Sequence, residues 1–156
     1  MTEAGQQMLW SLDSNIVLYC HDSSPQAALK RERSRALLSE SMSRRSVLAA
    51  QVCGEVFRVL HSKLRLPPLE VLDFMNGLMD RHSIAQADAA VFKSAMQLSA
   101  QTQRQFWDCL IIATCAAQGV KRLYTEDTGG LPRTMLGVEL INPFLTEDWN
   151  ADFSIA

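Results

Sequence analysis

Asp13, Glu55, Asp108 and Asp127 are spread along the chain, yet each follows or interrupts an apolar run. Asp13 directly follows the apolar residues 8–12, and Asp127 closely follows Leu123-Tyr124-Thr125. If both runs are strands of an open parallel sheet, both acids lie on loops at the carboxyl ends of strands, where such sheets form their ligand crevice. Glu55 stands three residues after Val52 and four before Val59, inside the apolar stripe of a helix, so it should face inward. Asp108 shares a helix face with Ile111, Ile112 and Cys115, in a first turn where the helix dipole favours a carboxylate. Neither stripe carries a basic residue near these acids, and a desolvated carboxylate is costly unless it is paired or binds metal. Four converging carboxylates would repel one another and hold their protons unless a divalent cation neutralised them. A set of oxygen donors alone suits a hard ion, Mg²⁺ or Mn²⁺. Singly, the residues allow plainer readings. Asp13 and Asp127 also suit helix caps or turns, and Asp108 suits a simple partner of the helix dipole. Glu55 has the least such cover.

The elements that must position these acids are short apolar runs alternating with helical stretches. Residues 8–12, 46–50, 121–125 and 138–141 read as strands. Helices are expected over 14–20, 26–42, 51–63, 69–81, 86–99 and 106–118, with Gly119 ending the last. Within 51–63, Val52, Val56, Val59, Leu60 and Lys63 mark one face; within 69–81, Leu72, Met75 and Met79 form a stripe. Ser83-Ile84 reads as a short extended link, and Gly129-Gly130 with Pro132 breaks the chain between the last two strands. Strands alternating with helices, with no hairpin signal, imply a parallel sheet of four or five strands covered on both faces. The expectation is one α/β domain over residues 1–156, a three-layer α/β/α sandwich.

A chain of 156 residues that is 47% hydrophobic can build such a core. The net charge of -2 does not announce a nucleic-acid binder, which is usually basic. Withdrawing four metal-bound carboxylates from that count, however, leaves the remaining surface slightly basic. Lys30, Arg31, Arg33, Arg35, Arg44 and Arg45 form the densest basic region. They either track phosphates or simply make a solvated helix face. Cys20, Cys53, Cys109 and Cys115 form no C-x-x-C pair and sit in apolar runs, as reduced core thiols do in the cytoplasm. His21, His61 and His82 lack zinc-ligand spacing and read as surface or structural. No apolar run reaches the ~18 residues that span a bilayer, and residues 1–7 lack the basic start of a secretory signal. A cytoplasmic location is expected.

The same stretches resemble PIN domains. Asp13-Ser-Asn15-Ile-Val-Leu-Tyr19 is similar to that family's opening D-T-N-x-L-x-Y, with Ser14 keeping the hydroxyl of the usual Thr. Gln51-Val-Cys-Gly-Glu55 resembles the stretch carrying its second acid, with Gly54 where Asn is common. Phe106-Trp-Asp108-Cys-Leu-Ile resembles F-W-D-A-L-I, and Leu123-Tyr-Thr125-Glu-Asp127 resembles L-x-[ST]-x-D. Gly137-Val-Glu-Leu-Ile-Asn142-Pro-Phe144 is similar to the ending of VapC-type toxins. The order and spacing of these motifs cover about residues 8–144.

The resemblance implies a metal-dependent ribonuclease, the toxin of a toxin–antitoxin pair. Asp13, Glu55, Asp108 and Asp127 would hold Mg²⁺ or Mn²⁺, directly or through water, for attack on an RNA phosphodiester. Asn15 and Thr125 would orient those carboxylates, and Glu126 would rank below Asp127. The resemblance also implies a homodimer silenced by a cognate antitoxin, with apolar surface on 69–79 and 26–42 as candidate contacts, although packing against the sheet explains those residues equally well. Two alternatives stay open: a PIN fold that binds without cleaving, and a nuclease preferring DNA. A phospho-aspartate enzyme is disfavoured, because Asp13-Ser-Asn15-Ile-Val17 lacks the D-x-D-x-T pattern of haloacid dehalogenases.

Overall fold

The structure is a computed structural model that describes residues 8–128 and 133–150. The Gly129-Gly130 and Pro132 break therefore lies outside the described residues. The first apolar run forms strand β1 (Trp10–Leu12), buried at all three positions. It is followed by α1 (Ser14–Tyr19), a 3-10 turn at Pro25–Ala27 and α2 (Ala28–Ser43). Strand β2 (Val47–Ala49) leads directly into α3 (Ala50–Arg58), which runs on as a π-helical turn through Val59–Lys63. Next come α4 (Pro68–Asp80), β3 (Ser83–Ala85), α5 (Ala89–Thr102) and α6 (Phe106–Ala117). The chain closes with β4 (Arg122–Tyr124), β5 (Thr134–Met135) and β6 (Val138–Ile141).

The strands form two ladders. One has the order β1-β4-β6-β5, in which β1, β4 and β6 are parallel and β5 is antiparallel to β6. The other is the parallel pair β2-β3. β2 packs beside β1. Helices flank this mostly parallel sheet, so the α/β expectation holds. Burial at every position of β1 and β2, and of Leu123 and Tyr124 in β4, is what strands covered on both faces require. Helix α6 is buried without a break from Cys109 to Cys115, which makes it the central helix of the core.

Several local expectations are corrected. Ser83-Ile84 is not a link but part of β3. A hairpin is present at β5-β6, turning through Leu136 (φ 53°) and Gly137 (φ 78°). Lys63 lies exposed, and Cys53 takes its place on the buried face of α3 with Val52, Val56 and Leu60. In α4 the inward face is Val71, Met75 and Leu78; Leu72 and Met79 are exposed. Gly119 does turn with φ 75° just beyond α6. All four cysteines are free and buried, and burial pushes the thiols of Cys20 and Cys53 up to about 11 and that of Cys115 to about 12. No helix among the described residues is long and apolar enough to cross a membrane.

Candidate functional site

The register of β1 on β4 pairs Leu12 with Tyr124, so the next residues, Asp13 and Thr125, lie side by side. Backbone bonds carry the ladder to this edge: Asp13 N–H donates to Tyr124 O (2.9 Å) and Thr125 N–H to Ile141 O (2.9 Å). The Thr125 hydroxyl donates to Asp13 Oδ2 at 2.8 Å. Its oxygen also accepts from Asn15 Nδ2 (3.4 Å) and from Asp127 N–H (3.1 Å). Asn15 Oδ1 accepts from Glu126 N–H at 3.3 Å. Asp13 caps α1 as well, since its Oδ1 accepts from Ser14 N–H at 2.7 Å. Burial raises the Asp13 pKa; the Thr125 and Ser14 hydrogen bonds oppose this, and the charges of Glu55 and Asp127 add to it.

Glu55 is half-buried at the margin of the apolar face of α3 rather than within it. With Asp108 it lines an open cleft of about 550 Å³, together with Gln51, Gly54, Arg58, Gln105 and Trp107. Gln51 Nε2 donates to Glu55 Oε1 (3.0 Å) and to Trp107 O (3.0 Å), tying α3 to the start of α6. Asp108 sits in the first turn of α6. Its pKa is raised first by burial and then by the charge of Asp127; Arg104 opposes the rise, while Asp13 and Glu55 reinforce it. Asp13 and Asp108 therefore both feel the charges of Glu55 and Asp127, although the four acids come from two strand ends and two helices. A Cβ on Gly54 would meet open space, so the absent Asn side chain leaves the cleft wider rather than relieving a clash.

Neither stripe carries a basic residue near these acids, but two cations reach them from outside the stripes. Arg58 lines the cleft one turn beyond Glu55. Arg104 is buried, and its Nη2 donates to Asp127 O at 2.7 Å and lies 3.5 Å from Asp127 Oδ2. The Asp127 side chain itself is 59% exposed, at the open rim of the group. Arg104 was missed because it belongs to neither helical stripe; a cation four residues before Asp108 was its only signal. Glu126 is turned away from the other acids, accepting from the Tyr19 hydroxyl and pairing with Lys30. Asn142 Nδ2 supports this loop through Glu126 O (3.2 Å).

The basic residues of α2 do not form a free solvated row. Arg31 donates to Asp22 O and Ser24 O, Arg33 to Pro143 O and Thr146 O, and Arg35 to Cys20 O. Arg44 pairs with Glu40.

The donor chemistry fits a hard divalent ion. Asp13, Glu55, Asp108 and Asp127 could hold one through oxygen alone, and a dication would offset the burial and, after it, the neighbouring charges that raise the pKa values of Asp13 and Asp108. Among the described residues no three His, Cys, Asp or Glu side chains stand close enough together to hold an ion as they are placed. The group is open, and its carboxylates would have to draw in around a ligand.

The model of the PIN domain matches residues 11–134. The chain belongs to the PIN-domain family. Several solved structures share this fold. A DNA-bound VapBC of Salmonella typhimurium shares 16% identity at a TM-score of 0.63, over 86% of this chain and 97% of that one. FitAB bound to a DNA fragment shares 20% at 0.66, over 89% and 98%. VapC20 of Mycobacterium tuberculosis, a sarcin–ricin loop cleaving toxin, shares 12% at 0.61, over 83% and 98%. No curated protein matches the sequence. These likenesses establish the fold of this PIN domain.

Proposed function

We propose that this PIN domain is a Mg²⁺- or Mn²⁺-dependent endoribonuclease, the toxin of a toxin–antitoxin pair. What supports the reading is that Asp13 and Asp127 are tied through Thr125 at one strand edge, that Glu55 and Asp108 line one cleft, and that the charges of Glu55 and Asp127 act on both Asp13 and Asp108. Each would contribute oxygen to the ion. A bound divalent ion supplies Lewis acidity for attack by water on a phosphodiester and offsets charge on the leaving oxygen. The chain's own part is orientation. Thr125 fixes one oxygen of Asp13, Asn15 steadies Thr125, and Gln51 aims Glu55 while bridging α3 to α6. The cleft beside Glu55 and Asp108 is open enough to admit a polynucleotide strand or an inhibiting segment of the antitoxin. Leu69, Leu72 and Met79 on α4 expose an apolar row suited to a second copy of the chain, with Leu69 81% exposed. Helix α2 offers only Leu29 among large exposed hydrophobics, so its share in such contacts is small.

The test is cleavage of RNA and of DNA, in parallel, with Mg²⁺ or Mn²⁺. RNA should be cut, chelation should stop it, and Asp13→Asn or Asp108→Asn should each lower the rate at least about 100-fold, about 2.7 kcal/mol of barrier. Activity that survives both substitutions would refute the assigned site. Cleavage of DNA alone would identify a DNA nuclease, and no cleavage by folded protein in either metal would leave a binding module.

A further inference from the structure

We infer that Arg104 is a positioning residue that takes up the charge of Asp127 and so restricts the acidic site to a single divalent ion. This rests on the metal-dependent reading of the same site. Arg104 follows Gln103, whose left-handed backbone (φ 58°) ends α5 and turns the chain toward α6. Its main chain is pinned there, with N–H donating to Thr102 Oγ1 (3.2 Å) and O accepting from Ser99 Oγ (2.6 Å). The side chain is only 6% exposed, and Nη2 reaches Asp127 O and the Asp127 carboxylate. Nε and Nη1 are buried and find no hydrogen-bond partner within the described fold.

A buried guanidinium with so few partners is costly in isolation. What compensates it here is the field of the neighbouring acids, and the effect is mutual: Arg104 acts on Asp108 against the repulsion of the other carboxylates. Because water does not reach the guanidinium, its charge is weakly screened. Nε and Nη1 of Arg104 are covered and out of reach of a bound ligand. Its action must pass through Asp127 and the charge of the site.

The charge balance then limits the number of ions. Two dications held together, as in two-metal nucleases, bring four positive charges side by side, which anionic oxygens must offset. The four carboxylates would supply four negative charges, but the built-in guanidinium cancels one. The remainder suits one dication and leaves a second undercompensated.

The experiment is a count of bound Mn²⁺ on the full chain, by calorimetry and by electron paramagnetic resonance. Wild type should bind one ion. Arg104→Leu should admit a second, and Arg104→Lys, which keeps the charge, should return to one. Arg104→Gln retains a donor for the Asp127 carbonyl without the charge; it should also admit a second ion, and it serves where the leucine variant fails to fold. A purely structural arginine would change thermal stability and leave the count alone. Two ions on wild type, or one ion on the folded Leu or Gln variant, would overturn the inference. No Mn²⁺ on wild type would instead remove the metal-dependent reading beneath it.

Discussion

Thr125 shows how much a single hydroxyl organises at the residue scale. It donates to Asp13 and accepts from both Asn15 and the Asp127 backbone, while the residue itself is buried. Its hydrogen bond to Asp13 lowers the pKa of a carboxylate that burial otherwise raises. Thr125→Val keeps the shape and removes these bonds. A hydrogen bond to a charged group is worth about 1.5–3 kcal/mol, and the groups left behind lose a partner. The variant should therefore lose about 2 kcal/mol in urea unfolding and cleave RNA more slowly, whereas Thr125→Ser should keep most of both. Equal stability of the valine variant and wild type would show that the bond matters little. Asp13 stood out in the sequence because it follows a strand directly, whereas Thr125 stood inside an expected strand and drew notice only through the resemblance to PIN domains. Arg104 was not legible, because its role depends on where a loop brings its side chain, and no helical or strand period reports that.

At the scale of elements, His82 joins parts distant in sequence. Its Nδ1 donates to Leu78 O at the end of α4, and its Nε2 accepts from Ser41 Oγ of α2, which is bonded in turn to Ser46 Oγ before β2. The buried ring is held neutral, its pKa lowered by burial below the ordinary 6.5, with Arg45 adding to the effect. In the unfolded chain His82 takes up a proton near pH 6.5; in the folded chain it does so only at lower pH. Stability is therefore full above about pH 6.5 and declines as pH falls from there toward the folded pKa. Urea midpoints measured from pH 7 to 5 should fall for wild type. They should fall less steeply for His82→Gln, because the less deeply buried His21 still contributes in the same direction. Parallel slopes would show that His82 is not the group responsible. Helix α2 was legible from its helix-forming composition, α3 from its apolar spacing, and the inner strands from short apolar runs. The β5-β6 hairpin was hidden because Leu136, rather than Asn or Asp, takes the first left-handed turn position. β3 was hidden because three residues, one of them an exposed serine, carry too little alternation to separate a strand from a link. The inward face of α4 was misjudged because its apolar residues lie on more than one side, and only packing selects among them.

For the whole molecule, an acidic group that repels itself should make folding sensitive to divalent ions. Mn²⁺ at about 100 times its dissociation constant adds about 2.7 kcal/mol to the folded state. In a chain of this size that is a rise of about 5–10 °C in melting temperature. Chelator should reverse the rise, and Asp108→Asn should largely abolish it; identical melting with and without Mn²⁺ would speak against an ion at this rim. The two ladders add a mechanical side to this. Strands β1 and β2 belong to separate ladders that lie side by side. Interlocked peptide groups resist sliding, but interdigitated methyls yield more readily. The line between β1 and β2 is thus a crease in the sheet. Asp13 is anchored on one bank and Glu55, by way of β2, on the other. A cation gripping both would work as a rivet across that crease, so amide exchange around Leu12 and Leu48 should slow when the ion arrives.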